Sequence, residues 1–232
     1  MKHHLIKFLL LVIAGAFCLG CKCGNGWDLF SKKPKYETYQ DAVQDGNFEA
    51  AYDMLNVYRK TYHELLSEVA KPNEKSWKKL LSKRKVAEGD YYQAFDYIYK
   101  GEVSLIMSSL DGQDAVDKIV FLLGEIPVEG EKLPAGECHW MVGKRDGRHK
   151  QGAQMDAYIV WTQHYNTLCN NVLKLAINRK NRSLAQQVPL LFVDNVAIHE
   201  DSPGDYSIHY YDTDSRAAKK KYDEAVAMGL FD

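Results

Sequence analysis

The chain has 232 residues, with 30 basic against 31 acidic side chains and a formal net charge of −1. A balance this even argues against an electrostatic nucleic-acid binder, which needs a clustered basic surface. The length suits one domain of ordinary size, or one short solenoid, with a sizeable core. After residue 21 no stretch is apolar for long enough to cross a bilayer.

The chain starts basic, at Lys2, His3, His4 and Lys7, and continues into an apolar run from Phe8 to Phe17. Such a short run behind a basic start reads as a secretory signal rather than a spanning helix. It ends in Cys18-Leu19-Gly20-Cys21, which resembles a bacterial lipobox: a small residue precedes the cysteine that becomes the lipidated N-terminus. Cys18 departs from the pattern, since an aliphatic residue is usual there. The resemblance implies that residues 1–21 are a lipoprotein signal, with Cys21 carrying palmitate or another acyl chain. It places the chain on a bacterial membrane, the outer one by expectation, facing the periplasm or the surface. Residues 22–35 are polar and rich in Gly and Lys, as a tether would be. The remaining 36–232 are expected to form a single helical repeat domain.

An internal repeat opens that domain. Val43, Asp45, Gly46, Asn47, Phe48, Ala51, Tyr52, Asp53 and Leu55 are followed 43 residues later by Val86, Glu88, Gly89, Asp90, Tyr91, Ala94, Phe95, Asp96 and Ile98. A fixed period of this size points to stacked helical hairpins. Gly46 and Gly89 suit the left-handed turn that ends one helix, and Asn47 and Asp90 suit the cap of the next. Phe48, Ala51, Tyr52, Leu55 and Tyr58 share one helical face, as do Tyr91, Ala94, Phe95 and Ile98. The Gly, polar, aromatic, then Ala order resembles the tetratricopeptide repeat. The period departs from that family's repeat of about 34, and its upstream Trp, Gly and Tyr are missing. The resemblance implies an all-α antiparallel array of helical hairpins whose concave face docks a protein or peptide.

Farther on, Asp114 to Leu123 places Val116, Ile119, Val120 and Leu123 on one helical face. Residues 127–152 hold two prolines and five glycines and no period, which makes an irregular insertion. Asp156 to Ile177 is helical again, with Trp161, Tyr165, Leu168, Val172 and Ala176 as its stripe. Ser183 to Val196 reads as a return helix kinked at Pro189, and His199 to Thr213 as an irregular segment. Tyr206 to Tyr211 is the one candidate for extended chain, without alternation strong enough for a sheet. Asp214 or Ser215 is expected to cap a last helix that turns Ala218, Tyr222 and Ala225 inward.

Catalytic signatures are nearly absent. His63-Glu64-Leu65-Leu66-Ser67 begins like a zinc-protease helix but has Ser where the second His ligand belongs. Cys138 beside His139 invites a thiol-nucleophile reading, although neighbours on extended chain point apart. Asp194, His199, Glu200, Asp201, Asp205, His209, Asp212 and Asp214 are metal-ligand types without a ligand spacing. After the anchor, three cysteines remain (Cys23, Cys138, Cys169), allowing one bridge or none, and Cys169 reads as a small buried residue.

Of fifteen tyrosines, Tyr52, Tyr58, Tyr62, Tyr91, Tyr92, Tyr97 and Tyr99 crowd the repeat, and Tyr92 and Tyr99, off the apolar stripe, are expected at the surface. The reading is therefore a lipid-anchored binding scaffold of the cell envelope. Asn56, Arg59, Tyr92 and Tyr99 would line its groove, with no metal, cofactor or nucleic acid and an open oligomeric state. A surface glycan-binding lipoprotein using Trp140, and a thiol- or metal-dependent hydrolase, are the alternatives.

Overall fold

The computed structural model describes residues 35–70, 76–138 and 148–232, with the backbone alone over 148–151. Cys21 and nearly all of the tether lie outside the described residues. Tyr36–Asp232 make one compact unit.

Helix α1 (Tyr39–Gln44) begins where the Thr38 side chain accepts a hydrogen bond from the Asp41 backbone N–H. It ends at Gly46, whose φ of +70° only glycine adopts without strain. Asn47 then caps α2 (Phe48–Val69), its side chain accepting from the Ala50 N–H at 3.1 Å. Here the first copy of the repeat behaves as its residues require.

The second copy does not. Gly89 and Asp90 lie inside α3 (Trp77–Ser109), an unbroken helix of 33 residues, about 50 Å long at the usual rise. A lone glycine costs a helix interior only about 1 kcal/mol. Leu80 and Ala87 before it and Tyr91, Ala94, Phe95 and Ile98 after it are all buried. Keeping those residues in one helical register outweighs the glycine, so no turn forms and Asp90 is an exposed helical residue instead of a cap.

Helices α2 and α3 run antiparallel. Tyr62 donates to Glu88 Oε2 at 3.2 Å near one end of the pair, and Tyr52 donates to Glu102 near the other. A short α4 (Gly112–Gly124) follows, burying Val116, Ile119 and Leu123 as its periodicity predicts. The segment expected to be irregular is so from Ile126 to Ala135, then pairs as β1 (Gly136–Cys138). Helix α5 starts at Arg148, earlier than its apolar stripe indicates, and runs to Asn178. It lies parallel to α3, linked by Arg84 to Asp156 at 3.5 Å and His164 to Asp96 at 3.1 Å.

The expected return helix is only partly present. Helix α6 covers Arg182–Gln187, and Pro189 sits in a 3-10 turn, Val188–Leu190. In that first turn its fixed φ and missing N–H cost nothing. Beyond it the all-helical expectation is corrected. β2 (Asn195–Ser202) and β3 (Asp205–Tyr211) form an antiparallel hairpin, and with β1 a three-stranded sheet of order β1-β3-β2. Pro203 and Gly204 close it, with Gly204 at φ +89°. Ile198 and Ile208 pair directly and face the core, where Ile208 is buried. The extended piece at Tyr206–Tyr211 is legible in the sequence. Its partner strand is not, because Asn195 to Ser202 carries only Val196, Ala197 and Ile198 as apolar residues.

Helix α7 (Thr213–Ala227) packs on α5 and buries Ala218 and Ala225. Asp212 occupies its N-cap position in place of Asp214 or Ser215. Among the described residues no helix is long and apolar enough to cross a membrane. The protein is thus mostly helical with a small sheet.

Candidate functional site

The side chain of Glu129 is wholly buried, and it comes from the irregular segment between α4 and β1. Arg59 Nε reaches its Oε1 at 2.5 Å and the Tyr91 hydroxyl donates to the same oxygen at 2.9 Å, while His63 Nε2 bonds Oε2. Burial alone would raise this carboxyl. The hydrogen bonds from His63, Arg59 and Tyr91 outweigh burial and hold it below its ordinary value of 4.5. An ionised carboxylate only accepts, so the His63 Nε2 in this bond carries a proton. Next in the chain, Gly130 has φ +73°, and a Cβ there would meet Gln154 O at 2.2 Å and Tyr158 N at 2.5 Å. The segment is a strap, pressed onto the α5 backbone on one side and pinned to α2 and α3 on the other. Nothing local in the sequence marks Glu129; only its place among Arg59, His63 and Tyr91 makes it prominent.

Around it lies an aromatic layer. Tyr62 stacks on Tyr91 at 5.8 Å, Tyr91 tilts on Tyr92 at 4.8 Å, and Tyr92 stacks on His164 at 4.3 Å. Tyr92 and Tyr99 are therefore not surface residues: they are 2% and 6% exposed. The apolar stripe of α3 accounts for a single partner helix, whereas α3 packs against both α2 and α5; His164 of α5 covers Tyr92, and Tyr52 of α2 lies against Tyr99 at 5.4 Å. Burial pushes the Tyr99 phenol up to about 12, with Glu102 adding to the shift. Arg59 is half-buried and committed to Glu129. Of the four expected groove residues, Asn56 alone is exposed.

A groove does exist between α2 and α3, on a different face. It has a volume of about 610 Å³. Val57, Tyr58 and Leu65 from α2 and Val86 and Ala87 from α3 form its apolar walls. Val57 and Val86 remain 65% and 62% exposed, and both line this one apolar groove. Glu64, Glu68 and Asp90 line it against a single Lys83. At one end sits α1, with Tyr39 edge-on to Tyr58 at 6.1 Å and to Tyr97 at 5.7 Å. The Tyr39 phenol is raised by burial first, then by Tyr58, Tyr97 and Asp90, so Asp90 lies near it too.

The other sequence candidates come apart. His139, Trp140, Lys144 and Arg145 lie outside the described residues. Cys138 and Cys169 are both free thiols, not a bridge. Burial raises the Cys138 thiol and the Asp201 charge raises it further, the opposite of an activated nucleophile. In the acidic segment, strand alternation and helix contacts divide the side chains. Asp194 pairs with Lys132 at 3.8 Å, Asp212 with Arg216 at 2.6 Å, and Asp214 accepts from Asn166 at 3.1 Å. His199 and His209 do meet, with rings 5.2 Å apart. Even so, among the described residues no three His, Cys, Asp or Glu side chains are grouped to hold a metal.

Compared with protein-family models, curated proteins and solved structures, the chain matches none.

Proposed function

We propose that this protein is a lipid-anchored docking scaffold of the bacterial envelope, which seats a protein or peptide partner in the groove between α2 and α3. The observation that carries this reading is the exposure of Val57 and Val86 on facing walls of that groove. Leaving two β-branched side chains in water forgoes about 1.5 kcal/mol each, which a partner recovers by covering them. The α1–α2 and α2–α3 pairings support the finer reading of a tetratricopeptide-like hairpin array, and the unbroken α3 is its departure from that family. The Gly20-Cys21 junction supports the anchor, with Cys21 carrying the lipid.

Two experiments test it. Metabolic labelling with an alkyne palmitate marks the protein, and Cys21→Ser abolishes the label; a label that persists refutes the anchor. A photocrosslinking amino acid placed at Val57 and at Val86 in living cells captures one stoichiometric partner, and the same probe at the exposed Lys174 does not. Equal capture from all three positions, or none, refutes the docking face.

A further inference from the structure

The shape and charge of the groove restrict what kind of partner fits it. Resting on the docking reading, we infer that the occupant is an amphipathic α-helix of about three turns, with Lys or Arg along one flank, lying beside the Tyr39 end of α1.

Secondary structure is decided by the walls. Both are helices whose backbone hydrogen bonds are already closed within α2 and α3. An extended peptide would find no strand edge to pair with and would leave its own N–H and C=O groups unmatched in an apolar trough. A helix brings its backbone already bonded. α1 demonstrates the fit on the same pair of helices: Ala42 is fully buried, and a Cβ on Gly101 would meet Val43 Cγ1 at 2.5 Å. Its Tyr39, Ala42 and Val43 are anchors at the i, i+3 and i+4 positions of a helix. Tyr58 belongs to both places, touching Tyr39 and lining the groove. The groove therefore continues an interface that the fold already uses to hold a helix.

The walls also set length and charge. From Val57 to Glu68 the α2 wall spans roughly 16 Å at the helical rise, about three turns of a partner. Glu64, Glu68 and Asp90 outnumber Lys83 along the rim, so a basic flank is attracted and an acidic one repelled.

The test uses the full-length protein in lipid nanodiscs, with empty nanodiscs as the baseline. The probe is a fluorescein-labelled, hydrocarbon-stapled 12-residue helix with three Leu on one face and Lys beside them. Fluorescence anisotropy should give binding that Val57→Asn with Val86→Asn weakens about ten-fold or more. Replacing the probe's Lys by Glu should weaken it similarly at low salt, and 0.5 M salt should narrow that difference. Both substituted positions are exposed, so unchanged far-UV circular dichroism verifies that the variant folds. Equal affinity for the variant, or for the Glu probe, overturns the inference. If the Val57 and Val86 crosslinkers capture a partner but the helical probe fails to bind, the docking reading stands and the helix falls. A crosslinked dimer of this chain through the same positions assigns the groove to a second copy and also overturns it.

Discussion

Replacing Glu129 by Ala removes the one acceptor shared by Arg59, His63 and Tyr91. The three donors do not suffer alike. The side chains of Arg59 and His63 are 34% and 42% exposed, so water replaces much of what they lose. Tyr91 is 1% exposed and its hydroxyl has no such recourse. A buried donor left unpaired costs about 1–3 kcal/mol, and a hydrogen bond to a charged group contributes about 1.5–3 kcal/mol. Discounting the two solvent-facing donors, Glu129→Ala should destabilise the protein by roughly 3–4 kcal/mol. For a chain of this size that is about 10 °C in melting temperature. Urea unfolding followed by circular dichroism measures it, with Tyr91→Phe and the double variant completing a cycle. The coupling between the two should reach about 1 kcal/mol. A loss below about 1 kcal/mol for Glu129→Ala, or additive single effects, would refute the strap as described.

The same carboxylate sets a pH dependence. Its folded pKa lies below the ordinary value, so the unfolded chain takes up the proton first. The contribution is complete above the ordinary carboxylate range and is lost as pH falls through the lowered value. Urea midpoints from pH 7 to 3 should therefore drop more steeply for the wild type than for Glu129→Gln. Gly130→Ala combines φ +73° with a Cβ at 2.2 Å from backbone; thermal melts should show a loss of at least about 2 kcal/mol. Gly89→Ala, in open space within α3, should instead stabilise by about 0.5–1 kcal/mol. Destabilisation there would mean that Gly89 turns after all. Burial pushes the Cys169 thiol up to about 12, so iodoacetamide at neutral pH should label Cys138 slowly and Cys169 only after unfolding, as read by peptide mass mapping.

Near-neighbour physics is readable wherever a few adjacent residues carry the decision. Asn47 caps α2, Gly46 takes its positive φ, and Val116, Ile119 and Leu123 face inward from α4. A groove is expected of any hairpin array, but the side chains that line this one are not those the apolar stripe leaves over. Tyr92 is spare only if His164 of α5 is left out of account, and Tyr99 only if Tyr52 of α2 is.

The junction at Gly46 and Asn47 and the apolar faces of α4 and α5 were determined by the sequence alone, because they depend on spacing within a few turns. Three features needed the tertiary structure. Gly89 stays helical because distant helices hold α3 in register, the hairpin at 195–211 forms because β3 supplies the pairing that β2 lacks by itself, and Glu129 is stable when buried only because Arg59, His63 and Tyr91 converge on it. Gly89 and Glu129 depend on groups tens of residues away, and β2 on a partner strand up to 16 residues away; no pattern within a few turns encodes such a partner.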